Sequence, residues 1–159
     1  MSLNDEIKKM RAMKVYKALL SFLDQKGWKY STREGELIVH LGFVGEDIPM
    51  PIIFDVDENV QILKVISIMP FGVSEEHFLD ISMATTYVNS HLPFGTFMLD
   101  MEHKVLSYRN STCFVDGEIG AETFDLLIDV ACTQIDRYND RFFALEKGML
   151  TLEDFISAD

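Results

Sequence analysis

Between Glu36 and Met69 three runs of alternating side chains follow one another with only short polar turns between them. Strands joined that closely can pair only antiparallel, because a parallel pair needs a crossover of a dozen residues or more. In the first run, Glu36 to Phe43, Leu37, Val39, Leu41 and Phe43 alternate with Ile38, His40 and Gly42. Gly45-Glu46-Asp47 turns into the second run, Ile48 to Asp55, and Asp57-Glu58-Asn59 turns into the third, Val60 to Met69. The product is a three-stranded antiparallel meander. Pro49 and Pro51 lack amide hydrogens on the same side of their strand, so pairing on that side begins only after Pro51.

Helical patterns bracket the meander. The first helix is expected over about Asn4 to Lys26, with Asn4 as cap, Asp5 and Glu6 at its positive end and Gly27 as its stop. Its apolar residues Ile7, Met10, Met13, Tyr16, Leu19, Leu20 and Leu23 recur at spacings of three and four. A short extended piece, Trp28 to Thr32, precedes the Arg33-Glu34-Gly35 turn. A second helix follows Pro70-Phe71-Gly72, with Ser74 as N-cap and Glu75 and Glu76 in its first turn, and ends near Ser90. A β-hairpin comes next, Thr96 to Asp100 and Lys104 to about Phe114.

The hairpin turn, Leu99-Asp100-Met101-Glu102-His103-Lys104-Val105, echoes Phe54-Asp55-Val56-Asp57-Glu58-Asn59-Val60, which reads as shared turn chemistry and not as a domain repeat. The third helix runs from about Ala121 to Lys147, with Phe124, Ile128, Ala131, Ile135, Tyr138 and Phe142 on one face and Gly148 closing it. Thr151 with Asp154 three residues later opens a short tail helix, about 151–157. No linker interrupts this order, so residues 1–159 form a single α+β domain: helix, three-stranded antiparallel meander, helix, β-hairpin, helix.

With 159 residues, 48% hydrophobic and 25% charged, the chain can bury a full core without disulfides or metals. Its net charge of -12 argues against a nucleic-acid partner, whose phosphates the average surface would repel. The charge is uneven: residues 1–33 hold eight Lys and Arg against three acids. That basic stretch reads first as a solvated face, with the acidic body of its own or a twin subunit, or an anionic surface, as alternative neighbours. Met1 to Met10 carry acids where a signal peptide has its basic start, and the leading Met-Ser-Leu is given no weight in placing the first helix. The longest apolar runs, such as Val65 to Met69, are too short for a membrane span. Cys113 and Cys132 sit in apolar company and outside any Cys-x-x-Cys pair, which suggests buried free thiols in a reducing cytoplasm.

Chemistry is scarce. Asp55, Asp57 and Asn59 alternate as in a calcium loop, but Val60 stands where that loop needs Gly and Ile66 where it needs Glu. His40, His77, His91 and His103 share no ligand spacing with one another or with either cysteine. Phosphate-cradling glycine loops and the serine elbow are absent from the sequence. Neighbouring acids such as Asp100 and Glu102 are what 26 acidic residues produce on any surface. No cofactor, metal or catalytic residue is assigned.

One anomaly points to binding. In the third run Val60, Ile62, Ile66 and Ile68 fall on one face while Leu63, Val65 and Met69 fall on the other, so both faces are apolar. A sheet backed by helices on one side should be polar on the other. The second face is therefore covered either by the chain's own helices or by a dimer mate or client. Phe143, next to Phe142, cannot share its helical stripe and hints at the same need. Ile38, Ile53, Leu63, Val65 and Phe143 are the candidate contacts with a partner or dimer mate. Nine methionines fit a surface that adapts to varied partners, although filling core gaps is their commoner use.

The order of elements, with Asn89 closing the second helix, Gly95-Thr96-Phe97-Met98-Leu99-Asp100 in the next strand and Val105-Leu106-Ser107-Tyr108-Arg109 after its turn, resembles the YbjN-like family. Its members are described as bacterial sensory transduction regulators, similar in fold to the type III secretion chaperones. The resemblance implies an acidic cytoplasmic protein without cofactor or catalytic residues, often a homodimer. It also implies a protein partner or client, bound in the chaperone relatives by packing on apolar patches and adding strands at sheet edges. The basic first helix and the tail after Gly148 have no counterpart in that pattern. The competing expectation is a small-molecule-binding or enzymatic domain with a pocket between sheet and helices, lined by His40, Cys113 or convergent acids.

Overall fold

The computed structural model describes residues 2–45 and 48–158. The turn expected at Gly45-Glu46-Asp47 thus falls partly outside the described residues. The first helix, α1, spans Leu3–Lys26. It begins earlier than Asn4 because Ser2 closes a capping box: Asp5 N–H donates to Ser2 Oγ at 3.2 Å and Ser2 N–H donates to Asp5 Oδ2 at 2.9 Å. Gly27 ends it in the left-handed region at φ 69°.

Four strands follow: β1 (Tyr30–Thr32), β2 (Ile38–Val44), β3 (Pro49–Asp57) and β4 (Ile62–Gly72). After α2 (Phe78–His91) come β5 (Thr96–Asp100) and β6 (Val105–Cys113), then α3 (Ala121–Glu146) and α4 (Leu152–Ser157). The meander and the hairpin are not separate sheets. All six strands form one antiparallel sheet in the order β1-β2-β3-β4-β6-β5, in which the extended Trp28 to Thr32 piece supplies β1. Pairing of β3 with β4 starts at Ile53↔Ile66, two residues past Pro51, as the missing proline donors require. Pro49 and Pro51 instead lie opposite Val44 and Gly42 of β2.

Both tight turns use an Asp side chain in place of a backbone acceptor. Asp57 Oδ1 accepts from Asn59 N–H (3.0 Å) and Val60 N–H (3.2 Å), and Asp100 Oδ1 from Glu102 N–H (2.9 Å) and His103 N–H (2.8 Å). Four residues after each Asp the chain turns through positive φ, 58° at Gln61 and 54° at Lys104. The echo between the turns is therefore real chemistry, but Asp100 corresponds to Asp57 and not to Asp55.

α1, α2 and α3 pack on one face of the sheet, and α4 packs on α2 and α3. Phe97 centres an aromatic cluster, its ring centroid 5.2 Å from Tyr108, 5.9 Å from Tyr138 and 5.2 Å from Phe142, which in turn lies 5.1 Å from Phe155. Phe22 of α1 meets Phe124 of α3 at 5.6 Å. The face that α1 buries is Ala12, Val15, Leu19, Phe22 and Leu23, so Met10 and Met13, expected inside, stand outside. The helix carries apolar residues on two opposite sides, and spacing alone does not say which side meets the sheet.

The second helix starts at Phe78 and not beside Ser74. Ser74 N–H donates to Glu146 Oε1 at 3.1 Å, and its Oγ accepts from His77 N–H at 3.4 Å, which shapes a turn before the helix. α3 buries the expected stripe, and Thr151 caps α4 through Asp154 N–H at 3.1 Å.

Candidate protein-binding surface

Strand pairing sorts side chains onto two faces, because directly opposed residues share a face and neighbours along a strand do not. Val39, Phe54, Val65 and Asn110 form one row under the helices, and Val56 with Leu63 forms the next. Leu63 and Val65 are fully buried there. These two candidate contacts thus belong to the core, and the correction follows from pleat parity: the helices cover the odd-numbered side of β4.

Among the described residues no helix lies on the opposite face. One row crosses all six strands as Ser31, His40, Ile53, Ile66, Arg109 and Thr96. Beside it run Ile38, Asp55, Lys64 and Ser111, then Asp57, Ile62 and Cys113. On the other side lie Ile68, Ser107 and Met98. Ile38, Ile53, Ile62 and Ile66 are half-buried by their neighbours alone, while Ile68 and Met98 are 44% and 39% exposed. The apolar band therefore contains two of the expected contacts, Ile38 and Ile53. Ile66 and Ile68 complete it, and their signal was the same alternation that marked Leu63 and Val65.

Lys64 interrupts the band. Its Nζ lies 3.1 Å from Asp55 Oδ2 and 3.0 Å from Asp57 Oδ2. The Lys64 hydrogen bond, followed by that of the Val60 amide, holds the Asp57 carboxyl below the usual carboxylate range. The same Asp57 bond raises Lys64, against the opposing effect of burial. Lys64 bridges the two carboxylates, so the face presents isoleucines around an ion-paired, weakly acidic polar centre.

The two sheet edges differ. β1 pairs with only Val39 to Leu41 of β2, so β2 runs on past it to Val44, which is 93% exposed. At the far edge, the backbone of Phe97 in β5 is occupied by the Asn89 side chain. Phe143 does not reach the open face. Its ring stacks edge-on against Phe71 at 5.6 Å, with Lys147 Nζ 5.6 Å above it.

Among the described residues the groups that could do chemistry do not converge. Ser74 with His77, and Ser90 with His91, are hydrogen-bonded neighbours within single turns, at 3.2 and 3.0 Å to Nδ1. No cluster of three metal-ligating side chains occurs among the described residues. His40 lies on the open face and Cys113, expected buried, is exposed on it. Cys132 is half-buried, and burial, with Asp129 and Asp136 nearby, pushes its thiol up to about 11. A surface cleft of ≈ 420 Å³ beside it is lined by Val44, Gly45, Met50, Cys132, Thr133 and Asp136, and includes neither His40 nor Cys113. Among the described residues no helix is long and apolar enough to cross a membrane.

Residues 16–144 match the model of the YbjN family, described as "Putative bacterial sensory transduction regulator". The chain is also similar to the crystal structure of "YbjN, a putative transcription regulator from E. coli", with a TM-score of 0.63 and 17% identity over 81% of this chain and 91% of that one. A second similar structure is the ExsC-ExsE complex, with a TM-score of 0.55 and 11% identity over 88% of this chain and 96% of that one. No curated protein matches the chain. At such identities the likeness is one of fold, and that fold is α+β and type III secretion chaperone-like, as the family resemblance implied.

Proposed function

Because this chain belongs to the YbjN family, we propose that it is a non-catalytic protein-binding module, a regulator or chaperone-like factor that works in the cytoplasm as a homodimer. Its client lies on the open face of the sheet. The observation that carries this reading is the band of Ile38, Ile53, Ile62, Ile66, Ile68 and Met98, which no helix among the described residues covers. An antiparallel sheet with one solvated face normally sets polar residues there, and apolar residues gathered on such a face mark a place where another surface docks. The exposed end of β2 at Val44 offers backbone groups beside the band, which suits an extended segment that adds a strand while its side chains reach the isoleucines. A fold neighbour solved as the ExsC-ExsE complex supports a protein as the partner.

The test is affinity capture from host lysate with the wild-type chain and with Ile53→Glu and Ile66→Glu, followed by direct titration of whatever is captured. Both positions are half-buried on the open face, so the variants keep the fold while placing a charge in the band. A partner bound by the wild type and lost in both supports the reading. Equal capture by all three rejects this face as the site.

A further inference from the structure

The outward side of α1 carries a second seam. Leu3, Glu6, Met10, Met13, Lys17 and Leu20 recur at alternating steps of three and four, the heptad spacing of helices that pair with another helix. This seam lies on the side opposite the buried Ala12, Val15, Leu19 and Phe22. Leu3 is 75% exposed, Met10 67% and Met13 41%, with Glu6 and Lys17 also exposed and Leu20 half-buried.

The order of residues along the seam is its own complement when reversed. If a second α1 is laid antiparallel across a two-fold axis between Met10 and Met13, Leu3 of each copy faces Leu20 of the other. Glu6 then faces Lys17, and Met10 faces Met13. Every apolar position meets an apolar one and the acid meets the base, twice over by symmetry, as an isologous contact demands. A parallel pairing would set Glu6 against Glu6 and Lys17 against Lys17. Lys14, at the flank of the seam, is already joined to Glu118 of its own chain and so adds little like-charge repulsion.

We propose that α1 is the homodimer contact: two copies of the chain associate through an antiparallel α1 pair, with Glu6 of each against Lys17 of the other. This rests on the homodimeric part of the function proposed above, and it leaves the open sheet face of both copies to the client. A seam of one helix is at the small end of specific interfaces, so the dimer forms at micromolar concentration and not below.

The test is sedimentation of the full chain over a concentration series with Glu6→Lys, Lys17→Glu and the double reversal, with helix content followed by circular dichroism. Each single reversal replaces two attractive contacts with two repulsive ones and weakens the dimer about tenfold or more. The double reversal restores both pairs and returns affinity to within about threefold of wild type. Within one helix residues 6 and 17 are too far apart for such a rescue, so recovery reports the contact between copies. A dimer indifferent to the single reversals overturns the proposal, as does a double variant no tighter than the singles. A dimer abolished by Ile53→Glu but not by the reversals places the contact on the sheet face, overturning the α1 pairing while sparing the homodimer. A wild-type chain that stays monomeric overturns both, and leaves client capture by the open face as a separate result.

Discussion

The carboxamide of Asn89 bonds both ways to the backbone of Phe97: Oδ1 accepts from its N–H and Nδ2 donates to its carbonyl, each at 2.8 Å. A residue on a neighbouring strand would make the same pair of bonds, so this side chain from the end of α2 closes the edge of β5 against other chains. Asn89→Ala leaves both groups without their partner and is expected to cost about 1–3 kcal/mol, seen as a fall of several degrees in Tm. Asn89→Asp keeps the acceptor but loses the donor and sets a carboxylate against a carbonyl. It is expected to be no more stable than the Ala variant at neutral pH, and the thermal melts of the pair check this.

The two faces of the central strands respond differently to truncation. Leu63→Ala and Val65→Ala open cavities under the helices, with Leu63→Ala costing about 2–5 kcal/mol in urea unfolding. Ile53→Ala on the open face removes a half-buried side chain and costs about 1 kcal/mol or less. Equal costs for Leu63→Ala and Ile53→Ala would mean that something in the isolated chain covers the open face.

Acid weakens the Asp57–Lys64 contact. The folded Asp57 pKa lies below its ordinary value of 3.8, so its contribution to stability is complete above that value and is lost as pH falls through the folded one. Lys64 is raised above 10.5, so its contribution is complete below that and lost only as pH climbs through the folded value. Asp57→Asn is therefore expected to destabilise most between about pH 5 and 9, and to converge on the wild type as pH falls through the folded Asp57 value. Unfolding free energies across that range provide the check.

Thiol labelling separates the two cysteines. Cys113 is exposed, whereas Cys132 is half-buried with its thiol pushed up to about 11, leaving almost no thiolate near neutrality. One label per folded chain at pH 8 is expected, with a second only after denaturation. Cys113→Ser should abolish labelling of the folded protein.

Gly95 turns the chain from α2 into β5 at φ 82°, with the Tyr108 ring lying where a side chain would begin. Gly95→Ala combines a backbone conformation that L side chains rarely adopt with a collision against a buried phenol, and is expected to cost about 2 kcal/mol or more. Stability that recovers in Gly95→Ala with Tyr108→Phe would assign part of that cost to the hydroxyl.

Local signals in the sequence were reliable because they act over a few residues. Gly27 and Thr151 end and begin helices as their chemistry requires, and Pro49 and Pro51 delay the β3–β4 ladder to Ile53. Other features depend on contacts that alternation cannot encode. β4 shows isoleucines to one side and Leu63 and Val65 to the other, and only the placement of the helices decides which side is core. The same holds for α1, where Met10 and Met13 look as well spaced for burial as Leu19 and Leu23. Joining hairpin to meander depends on Ile62 meeting Cys113 and Ile68 meeting Ser107, pairs too distant along the chain for any turn to announce. At the candidate site, Ile38 and Ile53 were recognisable, but Leu63 and Val65 could not be told from them without the register.

The position of β4 in the middle of the sheet has a consequence for the growing chain. Its partner on one side, β3, precedes it, but its partner on the other, β6, emerges from the ribosome only after the whole 73–104 stretch. For seconds of synthesis a four-stranded ladder, β1-β2-β3-β4, with a bare, apolar inner edge is exposed before the strand that seals it exists. Closing that ladder spans a long loop, so folding is expected to be slow for a chain of this size, with β6 docking as the late step.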